Sequence, residues 1–568
     1  VSRRARSPFA RELAARATDP AGRRWLFVPY DQLHDGIGPL AREDPRDLGI
    51  VLVEAPWKAA RRPYHRQKLA LVLANLRHFA LEQAARGVAV RHVVSSGSYA
   101  DALAPLAAEL GPLRCMEPAE RELRVELAPL AARGAVSLVP HEGWLTSRED
   151  FARAFRGGRR WRMDAFYRHV RRRSGILMDG ETPAGGRFSF DVENRRPWRG
   201  EPPAAIPPRF LPDAVTEEVG ALVERRFADH PGRVDLGALP ATAADAEALW
   251  AWARRDCLPW FGPFEDAMST ASTTLFHTRV SALLNLHRLL PARVVADALA
   301  LPIPLASQEG FVRQVLGWRE FVRHVHVETD GFRRPPDGTR PPVAERPGDG
   351  GWSRWSGRPW PADAARGGDP DGGARPDFLG AGRPVPPAFW GAPSGLACLD
   401  RVVADVWAEA YGHHITRLMV LANLATLLGV DPRELADWFW VAYADAYDWV
   451  VEPNVLGMGS FALGDRFTTK PYVSGAAYID RMSDHCRACA FSPKRDCPVT
   501  SLYWNFLAEQ RERLAGNPRL AMPLRSAARR TPAQRLHDAQ VSARVRERLG
   551  RGEPVVPERD ARAADRRR

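Results

Sequence analysis

The chain lacks any uninterrupted apolar run of about eighteen residues, so no membrane-spanning helix is expected. Cysteine is scarce, 6 in 568 residues, and that excludes a disulfide-stapled secreted protein. A reducing interior fits better, and the cytoplasm is the expected location. No G-x-G-x-x-G follows the first strand-like run, WLFVPY (25–30), so an ordinary dinucleotide site is not indicated. The opening stretch VSRRARSPFARELAARA is arginine-rich without an apolar centre. It reads as a flexible basic arm over 1–23, not a secretory signal.

What the sequence does have is length, positive charge and tryptophan. At 568 residues it can hold two or three domains, each with its own core. The formal charge of +13 points to polyanionic partners, although the arginine-rich ends supply part of that surplus. The 18 tryptophans are an unusual load. Tryptophan serves as packing, as a stacking platform for bases or as a redox relay.

Residues 24–145 alternate short β-branched apolar runs, such as GIVLVEA (49–55) and VAVRHVV (88–94), with amphipathic stretches such as 67–85. That alternation predicts an α/β domain with a parallel sheet, Rossmann-like, flanked by helices. Residues 146–240 form a connector rich in Arg, Pro and Gly, and 241–520 read as an all-α domain. A stretch crowded with Gly, Pro, Arg and Asp, about 328–385, interrupts the helices and reads as a mobile surface insertion. The end, 521–568, reads as a charged helix fraying into a basic tail.

Four cysteines fall in the C-terminal half: Cys398, then Cys486, Cys489 and Cys497 within C-R-A-C-A-F-S-P-K-R-D-C-P. A C-x2-C pair, a third Cys followed by Pro, and a distant fourth form a thiolate set for zinc or an iron–sulfur cluster. The Cys-Pro step and tight pair resemble ferredoxin ligation and favour the cluster. Buried thiols or disulfide partners are the plainer alternative.

Further motifs carry a family resemblance. QEGFVRQVLGWREFVRHV (308–325), HTRVSALLN (277–285) and DAYDWVVEPNVLGM (445–458) resemble the flavin-cradling segments of the photolyase/cryptochrome superfamily. AYGHHITRLMVLANL (410–424), DRFTTKPY (465–472), YIDRMSDHCRAC (478–489) and CPVTSLYWNFL (497–507) narrow the resemblance to its iron–sulfur bacterial branch. That branch is also called photolyase-related and includes prokaryotic (6-4) photolyases; the likeness extends over roughly 25–520.

The resemblance implies an FAD site made by Thr278, Arg279, Ser281, Gln308, Arg313, Gln314, Trp318 and Arg319, with Asp445, Asp448 and Asn454. Asp445 and Asp448, one helical turn apart, are expected to share a face. It implies His413 and His414 at the lesion, where a group titrating near neutrality can move a proton. Trp390, Trp438 and Tyr447 match its electron relay, and Cys398, Cys486, Cys489 and Cys497 its [4Fe-4S] cluster. Core packing is the competing reading for the tryptophans and the histidines.

The implied activity is light-driven repair of (6-4) photoproducts by a monomer acting on a lesion flipped out of damaged DNA, away from any membrane. A photoreceptor without repair activity uses the same fold and cofactors. A zinc-bearing nucleic-acid-binding protein would need the flavin motifs to be coincidence. The branch also carries a 6,7-dimethyl-8-ribityllumazine antenna, for which Asp31, Gln32 and Glu54 are the matching residues. Here the chain departs from the pattern: Trp57, Lys58 and Arg61 stand where acidic residues and a tyrosine are usual.

Overall fold

The computed structural model describes residues 7–156, 158, 160–360 and 370–557. Five strands, Arg24–Phe27 (β1), Leu48–Glu54 (β2), Ala89–Val94 (β3), Leu113–Met116 (β4) and Val136–Val139 (β5), form one sheet. Their order is β3-β2-β1-β4-β5 and every neighbouring pair is parallel. β2, LGIVLVE, is buried along its whole length, as a strand covered on both faces must be. Gly49 pairs with Trp25, and a Cβ there would lie 2.6 Å from the indole, so glycine admits the ring.

The strand order reverses beside β1, where loops at the carboxyl ends leave a crevice in folds of this kind. Tyr30, Asp31 and Gln32 follow β1 at that point. The helix Arg66–Ala85 is buried around most of its circumference because it lies between the sheet and the rest of the molecule. His65, its N-cap, donates its backbone N–H to Val441 O at 2.9 Å, and Lys68 donates to Trp440 O at 3.3 Å. The α/β part and the helical part are thus joined by buried hydrogen bonds.

Beyond the sheet, helices and loops dominate, with two short strand pairs at 178–183 and 343–374. Two expectations change here. Residues 8–15 do not form a loose arm: Ser7 caps the helix Pro8–Ala15, and Phe9 N–H donates to Glu218 at 2.9 Å. Parts of the described stretch of 328–385 are packed against the protein. Gly350 sits on the backbone of Trp438, and Arg121 and Arg333 pair with Asp330 and Asp371. At the other end the helix Pro532–Gly550 packs on the helix Pro498–Glu509, with Arg546 paired to Glu509 at 2.8 Å. Residues 1–6, 361–369 and 558–568 lie outside the described residues.

Candidate functional site

Three helices in the C-terminal half widen into π-helical turns, at Arg313–Arg319, Thr416–Ala422 and Pro453–Gly459. Such turns occur at functional sites because the extra residue turns side chains out of helical register. These carry Arg313, Gln314, Trp318 and Arg319, then Arg417, then Asn454.

Asp445 is the centre of one cluster. It accepts from both terminal nitrogens of Arg417 at 3.0 Å and from Ser281 Oγ at 2.7 Å, while its carbonyl accepts from Asn285. Burial alone would raise its pKa, but Arg417 and the Ser281 hydroxyl hold the carboxyl below its ordinary value. Arg279, in left-handed backbone (φ 56°), pairs with Glu409 at 2.7 Å and lies 4.0 Å over the Tyr411 ring. Thr278 is buried beside it, and Asn454, half-buried, donates to Val450 O at 2.8 Å. Tyr443 lies 4.0 Å beneath Arg417, and its buried hydroxyl has no partner. Cations, hydroxyls and an unpaired phenol around an aromatic wall fit a flavin with its diphosphate.

Several residues assigned to the same role do other things. Gln308 donates to the carbonyls of Leu301 and Leu299, at 2.9 and 3.2 Å, at the C-terminal end of the helix Pro291–Ala300. Trp318 packs edge-on against Phe321, and Arg319 lies 4.1 Å over Trp144 while donating to Leu284 O. Asp448 does not share a face with Asp445. Its carboxylate accepts from the backbone N–H groups of Arg121 and Glu122, at 2.7 and 3.2 Å, capping the helix Arg121–Ala132 of the α/β part.

Arg313 and Gln314 meet at a second cluster, around Glu265. Gln314 donates to Glu265 at 2.6 Å, Arg313 at 3.2 Å, and Asn194 donates to the same carboxyl. Burial, only partly offset by Arg313, pushes the Glu265 carboxyl up to about 7. His414 Nε2 stands 3.9 Å from Glu265 Oε1, with its side chain 40% exposed. Burial lowers its pKa, and neighbouring His413 adds to the drop, which that opening to solvent tempers. His413 is buried, stacked on His277, with its Nδ1 unpartnered. Burial holds both of these imidazoles well below their ordinary value.

Sequence reasoning missed Glu265, His277, Arg417 and Tyr443. His277 and Arg417 sit inside motifs that were legible, whereas Glu265, in WFGPFEDAM, carries no local signal.

Trp390 and Trp438 fall on one row of rings, bridged by Trp407, which also escaped the sequence analysis. Tyr447 lies elsewhere, stacked on Tyr30 at 6.0 Å with the Lys68 ammonium 4.9 Å from its centre.

Cys398, Cys486, Cys489 and Cys497 line one cavity, walled by Leu396, Ile479 and Phe491. Cys398 starts the helix Ala397–Glu409; the others come from the loop that leads into the helix Pro498–Glu509. Burial raises the Cys398 thiol, and the other three cysteines push it further up. Burial likewise lifts Cys486 to about 11 and Cys497 to about 12. Four convergent thiols that would oppose one another's ionisation fit a polynuclear iron–sulfur group, which takes thiolates and spreads their charge over several metals.

The antenna residues do not fit a lumazine. Glu54 is held by Arg77 (2.6 Å) and His92 (3.0 Å), which overcome its burial and bring its pKa to about 2. Gln32 donates to Met116 O at 2.8 Å. Asp31, which burial raises to about 6, accepts from Ala119 N–H and keeps one oxygen unpartnered. Next to them, Lys58 pairs with Glu120 (2.8 Å) and Glu122 (3.1 Å), and Arg62 with Glu122 (2.7 Å).

Residues 26–237 match a family model described as "Deoxyribodipyrimidine photo-lyase-related protein". A (6-4) photolyase of Agrobacterium fabrum is 34% identical over 537 residues, a span covering 91% of this chain and 98% of that protein. A crystal structure of a bacterial class III photolyase from Agrobacterium tumefaciens aligns over 94% of this chain and 99% of that one. Its TM-score is 0.47 and its sequence identity 14%.

Proposed function

The chain belongs to the deoxyribodipyrimidine photolyase-related family, and from that membership we propose that it is a light-driven DNA lyase acting on (6-4) pyrimidine photoproducts. The observation that carries the reading is the Glu265–His414 pair: a half-open imidazole 3.9 Å from a carboxyl whose pKa is about 7. Reversal of a (6-4) photoproduct moves an oxygen or hydroxyl between two pyrimidines, and a proton must move with it. His414 holds that proton at Nε2, Glu265 supplies or receives it, and the buried His413–His277 stack fixes the direction in which His414 points.

Thr278, Arg279, Ser281, Asp445 and Asn454 would hold FAD. When bound, the reduced flavin supplies a light-excited one-electron donor. The Arg417–Asp445 pair sets a fixed dipole beside it. Trp390 and Trp438 serve in its reduction. The four cysteines carry a [4Fe-4S] cluster that ties the helix Ala397–Glu409 to the chain near the helix Pro498–Glu509, a structural role.

The substrate is a lesion turned out of the duplex, as enzymes acting on bases require, photolyases among them. The surplus of Lys and Arg grips phosphates without reading sequence. The protein works as a monomer in the cytoplasm.

Blue-light restoration of an oligonucleotide carrying one (6-4) photoproduct tests this, with anaerobically purified, pre-reduced protein, a cyclobutane-dimer control and dark samples. Restoration of the (6-4) lesion alone is the expected result. Flavin-loaded protein that photoreduces but restores neither lesion would make the chain a photoreceptor.

A further inference from the structure

We propose that Val192 is the wedge that enters the duplex as the lesion leaves it, standing in the gap against the opposite strand. The inference rests on the repair reading above and gives one turn of the connector a part in extruding the substrate.

Val192 is at the tip of a tight turn and is 80% exposed. Glu193 N–H donates to Phe190 O at 2.8 Å and Asn194 N–H to Asp191 O at 3.3 Å, so the chain reverses around it. A single exposed valine is ordinary on a protein surface. What distinguishes this one is where its turn is fastened. Asp191 lies 3.7 Å from Arg313, and the Asn194 amide donates to Glu265. The Asn194 carbonyl accepts from Asp266 N–H at 3.2 Å. Both sides of the tip are thus tied to the cluster that faces His414, where the flipped lesion would lie. Ile206 and Leu211 are also exposed, but the residues beside them bond to Leu275 O and Gly237 O.

The turn is stiff. Phe190, buried, donates its N–H to the Glu309 carboxylate at 3.0 Å and carries the Arg187 guanidinium 4.4 Å over its ring. Valine adds to this, because branching at Cβ leaves χ1 little freedom to lose. The carboxylates on either side of Val192 are each covered by an arginine, Asp191 by Arg195 and Glu193 by Arg187. The tip therefore offers an apolar side chain to DNA with no bare negative charge beside it. Arg196 and Arg199 are exposed further along the same stretch and suit backbone phosphates.

Extruding two joined pyrimidines takes two bases out of the stack and leaves their opposite numbers unpaired. Water filling that gap restores none of the lost stacking, whereas an aliphatic side chain covers the bared base faces. Valine carries no side-chain donor or acceptor, so the wedge reads no base and acts at any sequence around the lesion. A lesion in a single strand leaves no such gap. The mark of a wedge is therefore a contribution to duplex binding over and above single-strand binding.

Equilibrium binding of the flavin-loaded protein to one (6-4) photoproduct, in duplex and in single strand, reads that contribution, with flavin content as the control for folding. Val192→Ser is expected to lower the ratio of duplex to single-strand affinity about tenfold, from the apolar surface a valine buries. Val192→Leu, still apolar, should keep the parent ratio. A 2-aminopurine opposite the lesion should brighten on binding to the parent, as its neighbours are unstacked, and stay dim with Val192→Ser. Val192→Ser with the parent ratio, or Val192→Leu losing as much as Val192→Ser, would overturn the wedge and leave the repair reading standing. A parent protein that binds the lesion duplex no better than undamaged duplex, and does not restore it in light, would overturn both.

Discussion

His413 lies face to face with His277, their ring centroids 4.4 Å apart and their planes 8° from parallel. Burial keeps both imidazoles neutral near neutral pH, since protonating one would place a charge in an apolar site against the other. The adjacent His414 opens instead toward solvent and Glu265. Two histidines adjacent in sequence therefore have different surroundings and different work.

Truncating them separates the two roles. His414→Ala should lower light-saturated repair by about 10²–10⁴-fold, the usual span for losing a positioned proton carrier. His413→Phe keeps a ring on His277 and should cost about tenfold or less, through the aim of His414 alone. Repair rates of the two pre-reduced, flavin-matched variants check this; equal losses would reject the division.

Glu265 gives the pH dependence its sign. Its carboxyl, near 4.5 when solvated, rises to about 7 in the fold, so it is protonated below about 7 and ionised above. Repair that uses the acid form should decline as pH rises through about 7, and Glu265→Gln should flatten that limb. Stability follows the same sign. The folded state binds the proton more tightly than the unfolded chain, so this group's stabilising contribution is full below about 4.5 and is lost as pH rises toward about 7. Denaturant unfolding of the parent and Glu265→Gln proteins between those pH values measures the difference.

How much of this was legible depended on the distance over which each feature acts. The parallel sheet was readable because its strands are local apolar runs, and β2 needs nothing distant to mark it as buried on both faces. The motif at 277–285 was readable as a unit, and it places Ser281 on Asp445. Asp448 was misjudged because its partners, the N–H groups of Arg121 and Glu122, are more than three hundred residues away in sequence. Helical spacing to Asp445 says nothing about that cap. Composition marked 328–385 as a mobile surface insertion. That the loop is fixed to Trp438 through Gly350 is a tertiary fact that composition cannot carry.

The cysteine cavity predicts a colour and a stability. Anaerobically purified protein should be brown, and Cys398→Ala should lose the broad absorption, because one of the four lining thiols is gone. The helix that begins at Ala397 also carries Trp407 and Glu409, the partner of Arg279. Losing its anchor should therefore loosen flavin as well as destabilise the fold, by more than about 4 kcal/mol as for other lost metal centres. Iron content, flavin content and denaturant midpoints report the three effects. Colourless protein with zinc in place of iron would refute the cluster.

The cations beside the sheet's switch point predict that a lumazine antenna is not bound. Arg62 has no solvent exposure, pairs with Glu122 at 2.7 Å and lies 3.7 Å over the Trp440 ring. Lys58 closes the same network through Glu120 and Glu122. A chromophore entering here would have to displace paired charges, and breaking one partner of a buried ion pair costs about 3–5 kcal/mol. Added 6,7-dimethyl-8-ribityllumazine should therefore keep its free fluorescence in the presence of the protein and pass no excitation to the flavin. Arg62→Met should show what the network contributes: it leaves Glu122 short of its closest arginine and should destabilise by about 3–5 kcal/mol in denaturant unfolding. Quenched lumazine fluorescence with matching sensitisation of the flavin would show that the crevice opens after all, with the unpartnered oxygen of Asp31 as its first contact.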